Sequence, residues 1–167
     1  MNATYAMTVP LLIRQLKALQ AILAKAQSFA AERKFDESIL VNARLAPDMH
    51  ALARHIQIAG DFAKGACARL SCVENPKYAD DETTLAELQT RIEKTLAFIN
   101  GVDTALFDGC ENREISLTMG GHAYVGLGAD YVRDVVLPHF YFHTCMAYAI
   151  LRSHGLQIGK LDFLGAL

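Results

Sequence analysis

His139 and His143 stand four residues apart in PHFYFHTCMAYAILR, the segment from Pro138 to Arg152. On a helix that spacing puts both imidazoles on one face, a turn apart, where they can share a metal ion. The plainer alternative is a histidine satisfied by hydrogen bonds, since neutral imidazole pairs readily with a buried carbonyl or hydroxyl. A metal reading needs a further donor. His55 projects from the edge of an apolar stripe, beside Ala59 and Phe62, where a neighbouring helix can reach it. Three imidazoles with an open fourth position make a catalytic rather than a structural metal site. Zinc and nickel both suit imidazole, and the sequence does not choose between them.

Other polar residues surround these positions. Asp48 lies seven before His55, nearly in line with it on a helix, and could orient that ring as an acceptor. An acid there would equally suit the dipole of a helix first turn. Gln57, Asp61 and Lys64 are spaced so that Asp61 can bond Gln57 and pair with Lys64. With His50 and Arg54 they predict a solvated helix face, the competing reading being a polar cluster at a pocket mouth. The hydroxyls of Tyr141, Tyr124, Tyr131 and Tyr148 could position a substrate, or the rings could simply fill the core. His122 and His154 read as surface residues, and His154 suits the negative end of a helix. The four cysteines (Cys67, Cys72, Cys110 and Cys145) form no Cys-x-x-Cys pair, which argues against structural zinc and a disulfide framework. There is no Gly-rich phosphate loop, nucleophile elbow or glycosidase-type acid pair.

Apolar periodicity predicts the elements that must position these side chains. Leu12, Leu16, Leu19, Leu23, Ala26 and Ala30 alternate four and three apart, giving a first helix from about Thr8 to Glu32. Pro10 suits its first turn, where a missing N–H costs nothing. A second helix is predicted from Pro47 to Leu70, with Met49, Leu52, Ile56, Gly60, Ala63, Cys67 and Leu70 facing inward. Its small residues let a neighbouring helix approach closely. A third opens on a capping box from Thr84 to Glu87 and runs to Asn100. From Glu111 to Leu127 the alternation of Ile115, Leu117 and Met119, followed by Gly120-Gly121 and HAYVGL, predicts a short β-hairpin. Pro138 forbids a regular helix through it, so Asp130–Val136 is expected as a separate piece. The last helix should then run from Pro138 to a cap at Gly155, buried on nearly every side. The tail LQIGKLDFLGAL is expected to lie extended against the bundle.

A chain of 167 residues, 52% hydrophobic and 20% charged, suits one folded domain over 1–167. A net charge of −2 without a basic cluster argues against nucleic acid as a main partner. MNATYAMTVP has neither a positive leader nor an apolar core, and no apolar run approaches the ~20 residues of a membrane span. A cytoplasmic protein with reduced thiols is the expectation.

RLAPDMHALARHIQIAGDFAKGACARL and LPHFYFHTCMAYAILRSHGLQIGKLDFLG, with the opening TVPLLIRQLKALQAILAKA, resemble a known family. It is the domain-of-unknown-function family numbered nineteen-ninety-three, within the DinB/YfiT-like superfamily, and the likeness covers essentially the whole chain. It implies a metal-binding four-helix bundle, often dimeric; joined to the hairpin read from the residues, the expectation is an all-α, DinB-like four-helix bundle with a small β-hairpin inserted before the last helix, and a homodimer. The best understood members of the superfamily use a divalent ion to activate a low-molecular-weight thiol for transfer. In them one histidine comes from the second helix and two from an H-x-x-x-H pair in the fourth. Here His139 and His143 match that pair, and His55 is the best match in the second helix. The expectation is a zinc or nickel site on His55, His139 and His143, with Asp48, Gln57, Asp61 and Tyr141 as supporting or pocket residues. A small-molecule or thiol ligand would bind there, with no nucleic acid or membrane partner. The competing expectation is a metal-free, non-enzymatic binding or stress-associated bundle.

Overall fold

α1 (Ala3–Arg33) begins more than a turn before the position its apolar stripe predicts. The Asn2 side chain accepts from the N–H groups of Thr4 and Tyr5, at 2.9 and 3.2 Å, and caps the helix there. Pro10 therefore lies inside the helix rather than in its first turn. Its ring sits on the exposed face, where water can serve the carbonyl it leaves unbonded. The structure, a computed structural model, describes residues 2–165.

After the short α2 (Ser38–Val41) the chain turns repeatedly before α3 (Leu52–Ser71). The sequence predicts this helix from Pro47, and it starts five residues later. The Leu52 N–H donates to the carbonyl of Ala43 at 2.9 Å, and the Arg44 guanidinium holds the carbonyl of Met49. These bonds fix the preceding loop, which outweighs the weak preference of proline for a helix start. α4 (Leu85–Gly101) opens on the predicted capping box: the Glu87 N–H donates to Thr84 Oγ1 at 3.2 Å, and the Thr84 N–H to Glu87 Oε2 at 3.0 Å.

Two 3₁₀ turns lead into β1 (Glu114–Met119) and β2 (His122–Leu127), which pair antiparallel with Met119 opposite His122. Gly120 (φ 53°) and Gly121 (φ 83°) both take the left-handed conformation that a two-residue hairpin turn requires. α5 (Gly128–Tyr131) then runs through a π-turn (Val132–Val136) into α6 (Leu137–Ser153). The expected break at Pro138 is thus absent. A π-turn is where a helix absorbs an irregular residue, and it delivers Pro138 to the second position of α6. At the other end His154 Nδ1 lies 2.9 Å from the carbonyl of Ile150, the expected helix-end role. The tail forms a further helix, α7 (Lys160–Leu164), instead of lying extended. Asp162 accepts from the Gly159 N–H at 2.8 Å and pairs with Lys25 of α1.

The bundle consists of α1, α3, α4 and α6, with α3 packed chiefly on α6 and α4, and α1 on α4. Leu12, Leu16 and Leu23 meet Leu52, Ile56, Ala59 and Ala63 of α3, Leu88 of α4, and Phe140, Ala147 and Leu151 of α6 in one continuous core. Each such leucine stabilises the fold by about 1.5–3 kcal/mol. α4 passes close to Gly60, where a Cβ would make an ordinary contact with Thr95 Oγ1 at 3.4 Å. By length and composition α1 could cross a membrane, but its apolar stripe is packed in this core. α6 is not buried all round: Phe142 is 52% exposed, and His139 and Cys145 share the open side.

Candidate functional site in the cleft between α3 and α6

The antiparallel packing of α3 on α6 brings His55 and His143 together in the interior, 1% and 7% exposed. Their Nδ1 atoms are 2.9 Å apart, a hydrogen-bond distance. Such a bond needs opposite tautomers: one ring donates its Nδ1–H, and the other accepts at Nδ1 and carries its proton on Nε2. His55 Nε2 is buried without a partner among the described residues. It is either a bare lone pair or an unsatisfied donor. Burial pushes the His143 imidazole down to about 4, with further repulsion from His55, His139, His50 and Arg54. Burial also holds His55 below its usual value, with repulsion from His50 added. Both rings are therefore neutral at pH 7, the form that ligates metals or accepts protons.

His139 stands apart from this pair. It is exposed, and its ring stacks on Phe62 with centroids 4.5 Å apart and planes 15° from parallel. His50 is also exposed, its ring centroid 5.9 Å from that of His55. Among the described residues no three or more His, Cys, Asp or Glu side chains are grouped as metal ligands. Two of the three expected imidazoles are thus together, and the third faces the same cleft from a turn away. The donors suit a zinc- or nickel-type ion in being neutral nitrogens. The 2.9 Å separation is slightly shorter than the roughly 3.3 Å between two imidazole nitrogens on one tetrahedral ion.

The cleft holds about 660 Å³, with walls from α3 (Arg54, Phe62, Arg69), α6 (His139, His143) and the hairpin (Leu117, Met119). Asp48 does not support His55. It lies in the exposed loop before α3, so the in-line helical relationship expected of it never forms. Tyr141 packs edge-on against Phe140 and is not part of the wall.

The stripe of Gln57, Asp61 and Lys64 is not the solvated face that its polarity predicts. Gln57 and Lys64 are buried, and the stripe meets Arg91 of α4, itself only 2% exposed. Arg91 Nη2 lies 3.0 Å from Asp61 Oδ1 and 2.9 Å from Asp80 Oδ1, and Nη1 lies 2.9 Å from Glu82 Oε1. Lys64 pairs with Asp61 at 3.1 Å, and Gln57 donates to Glu82 at 2.9 Å. Burial opposes the Arg91 charge, but Glu82, Asp61 and Asp80 more than offset it. The network clamps the connector between α3 and α4 onto the bundle. Of the polar stripe, His50, Arg54, Asp61 and Lys64 also line the cleft, while Gln57 does not.

Sequence reasoning overlooked Arg69 and Asn75, which line the far end of the cleft. The Gly65-x-x-x-Arg69 spacing was a usable signal, because a glycine one turn before an arginine leaves room for its guanidinium. The pairing of Arg69 with Tyr131, 62 residues away, leaves no local trace.

The pattern of the "domain of unknown function (DUF1993)" family matches residues 4–164. A crystal structure of a DinB family member protein from Shewanella denitrificans superposes with a TM-score of 0.90 at 40% identity, covering 98% of this chain and 92% of that one. No curated protein matches. The fold, the hairpin before the last long helix and both likenesses agree: the chain belongs to the DUF1993 family and is a DinB-like helical bundle.

Proposed function

We propose that the cleft between α3, α6 and the hairpin is a small-molecule site organised by a divalent metal. His55 and His143 would hold the ion, and His139 would join them when its ring leaves Phe62. The observation that carries this reading is the buried pair of neutral imidazoles with facing Nδ1 atoms, beside an unpartnered His55 Nε2. When bound, the ion would lower the pKa of a coordinated thiol or water toward neutrality, the requirement of a thiol-dependent transferase. The chain's own residues shape the remainder. Phe62, Leu117 and Met119 supply apolar wall that limits water, while Arg69 supplies positive charge for an acidic ligand.

A metal-free binding bundle is the second reading. The N–H···N bond between the two rings and the stacking of His139 on Phe62 favour it, because each ring then has a partner of its own. Elemental analysis of untagged, chelator-free protein separates the two. The metal reading expects close to one zinc or nickel per chain, lost in His143→Ala, and a thermal midpoint raised by added ion. A folded His143→Ala that still takes up an ion would sink the assignment. A protein without metal whose unfolding ignores added zinc and nickel would leave the metal-free bundle standing.

A further inference from the structure

The end of the cleft remote from the histidines has a charge balance of its own. Of the cationic side chains lining the whole cleft, Arg54, beside the histidines, is paired with Asp80, and Lys64 with Asp61. Arg69 has no carboxylate partner among the described residues, and its hydrogen bond runs to the neutral hydroxyl of Tyr131 at 3.1 Å. Tyr131 is fully buried in the core, so it fixes the guanidinium rather than following it. An arginine in the last turn of a helix is ordinarily explained by the helix dipole. Arg69 instead lies back over Gly65, where a Cβ would stand 2.5 Å from its Nη1. The absence of a side chain at residue 65 is what admits the guanidinium. Asn75 comes to the same place, its Nδ2 3.7 Å from that Cβ position, and its Oδ1 is buried without a partner among the described residues.

A fixed planar guanidinium without a counter-ion, beside an unsatisfied carboxamide oxygen, is a receptor for an anion that carries a hydrogen-bond donor next to it. One uncompensated cation suits a monoanion. We propose that Arg69, Gly65 and Asn75 form the anchoring end of the cleft for a small carboxylate with an adjacent N–H or O–H, such as an N-acyl amino acid terminus. Arg69 takes the carboxylate, and Asn75 Oδ1 accepts from the neighbouring donor. Gly65 lies ten residues after His55, about 15 Å along α3, so the full ligand is elongated, with its other end at the histidines. The inference rests on the cleft being a small-molecule site and not on metal being bound there.

The test is a titration of ¹⁵N-labelled protein in EDTA with N-acetylglycine, N-acetylglycinamide and inorganic phosphate, followed by NMR. N-acetylglycine is expected to shift the Gly65 amide, the Arg69 Nε–H and the Asn75 side-chain signals saturably. The uncharged amide should bind at least about tenfold more weakly, the loss expected for one charge-assisted contact. Arg69→Gln should weaken N-acetylglycine to a similar extent. So should Gly65→Ala, which retains the charge but displaces the guanidinium and keeps a good helix former. Absence of saturable shifts, an equal response to the uncharged amide or to phosphate, or unchanged binding by either folded variant would overturn the proposal. Since the protein is metal-free throughout, a failure here counts against the anionic end alone, and the metal reading stands or falls on its own ion analysis.

Discussion

The Nδ1 atoms of His55 and His143 face each other at 2.9 Å across the contact between α3 and α6, and neither ring is more than 7% exposed. A hydrogen bond between two neutral bases in the interior ties protonation directly to stability. The His143 imidazole is pushed down to about 4 from an ordinary value of 6.5. Between those limits the unfolded chain binds a proton that the native protein refuses. Stability of the metal-free protein is therefore fully present above pH 6.5 and falls as the pH drops toward 4. The loss attributable to His143 is on the order of 3 kcal/mol, since each tenfold change in proton affinity is worth about 1.4 kcal/mol. His55 is shifted the same way and adds to the slope. Carboxylates also titrate near the acid end, so the measurement is a comparison: urea unfolding of wild type and of His143→Phe from pH 7.5 to 4.5. The variant should show the flatter profile, and parallel profiles would disprove the assignment.

Removing one member of the pair strands the other. His143→Ala in metal-free protein should cost ~1–3 kcal/mol, because the His55 ring loses the one side-chain hydrogen bond it makes among the described residues while remaining buried. Replacing both rings by apolar groups removes the unmet polar atoms together and should cost less than the sum of the two single changes. A double-mutant cycle on His55→Leu and His143→Leu, read by denaturant midpoints, measures that coupling. Strict additivity would mean that the 2.9 Å contact contributes nothing.

Much of this architecture was written in local sequence. The heptad-like leucines of α1, the Thr84–Glu87 box and the Gly120-Gly121 turn each act within a few residues, and each appears where its pattern places it. Element boundaries that depend on tertiary bonds were not legible. The late start of α3 follows from Leu52 reaching Ala43, and the unbroken passage through Pro138 from a π-turn. In the candidate site the four-residue spacing and His55 named two helices that the fold packs together, yet spacing fixes only a helix face. Whether His139 turns toward His143 or onto Phe62 is decided by a ring on another helix. Likewise nothing local says that Lys64 is buried, since its cover comes from the connector that Arg91 pulls inward.

The capping box at the start of α4 offers a simpler test. Thr84→Ala removes the oxygen that accepts from the Glu87 N–H and should cost about 1 kcal/mol. The Glu87 carboxyl is held below the usual carboxylate range, first by the Thr83 N–H and hydroxyl and then by the Thr84 N–H. Thr84→Ser should recover most of the loss, as the hydroxyl is retained. Equal midpoints for the alanine and wild-type proteins would show that the box adds nothing to stability.

The Arg91 network should respond most strongly of all. Asp61, Asp80 and Glu82 converge on one guanidinium that is 2% exposed, and the Ala79 carbonyl accepts from it at 2.8 Å. Arg91→Met keeps most of the side-chain volume but leaves three carboxylates facing one another without their common cation. Breaking a buried pair from one side costs about 3–5 kcal/mol, most of it from the charges left behind. Asp80 and Asp61 are more open to water than Glu82, so part of that penalty is relieved by the connector swinging outward. Two signatures follow: a large drop in the denaturant midpoint, and faster amide exchange across residues 78–83 than in the rest of the variant. Arg91→Lys retains the charge but cannot bridge all three acids, and should fall between the two. A methionine variant of unchanged stability would mean that the acids are held by water, and the connector by its own turns.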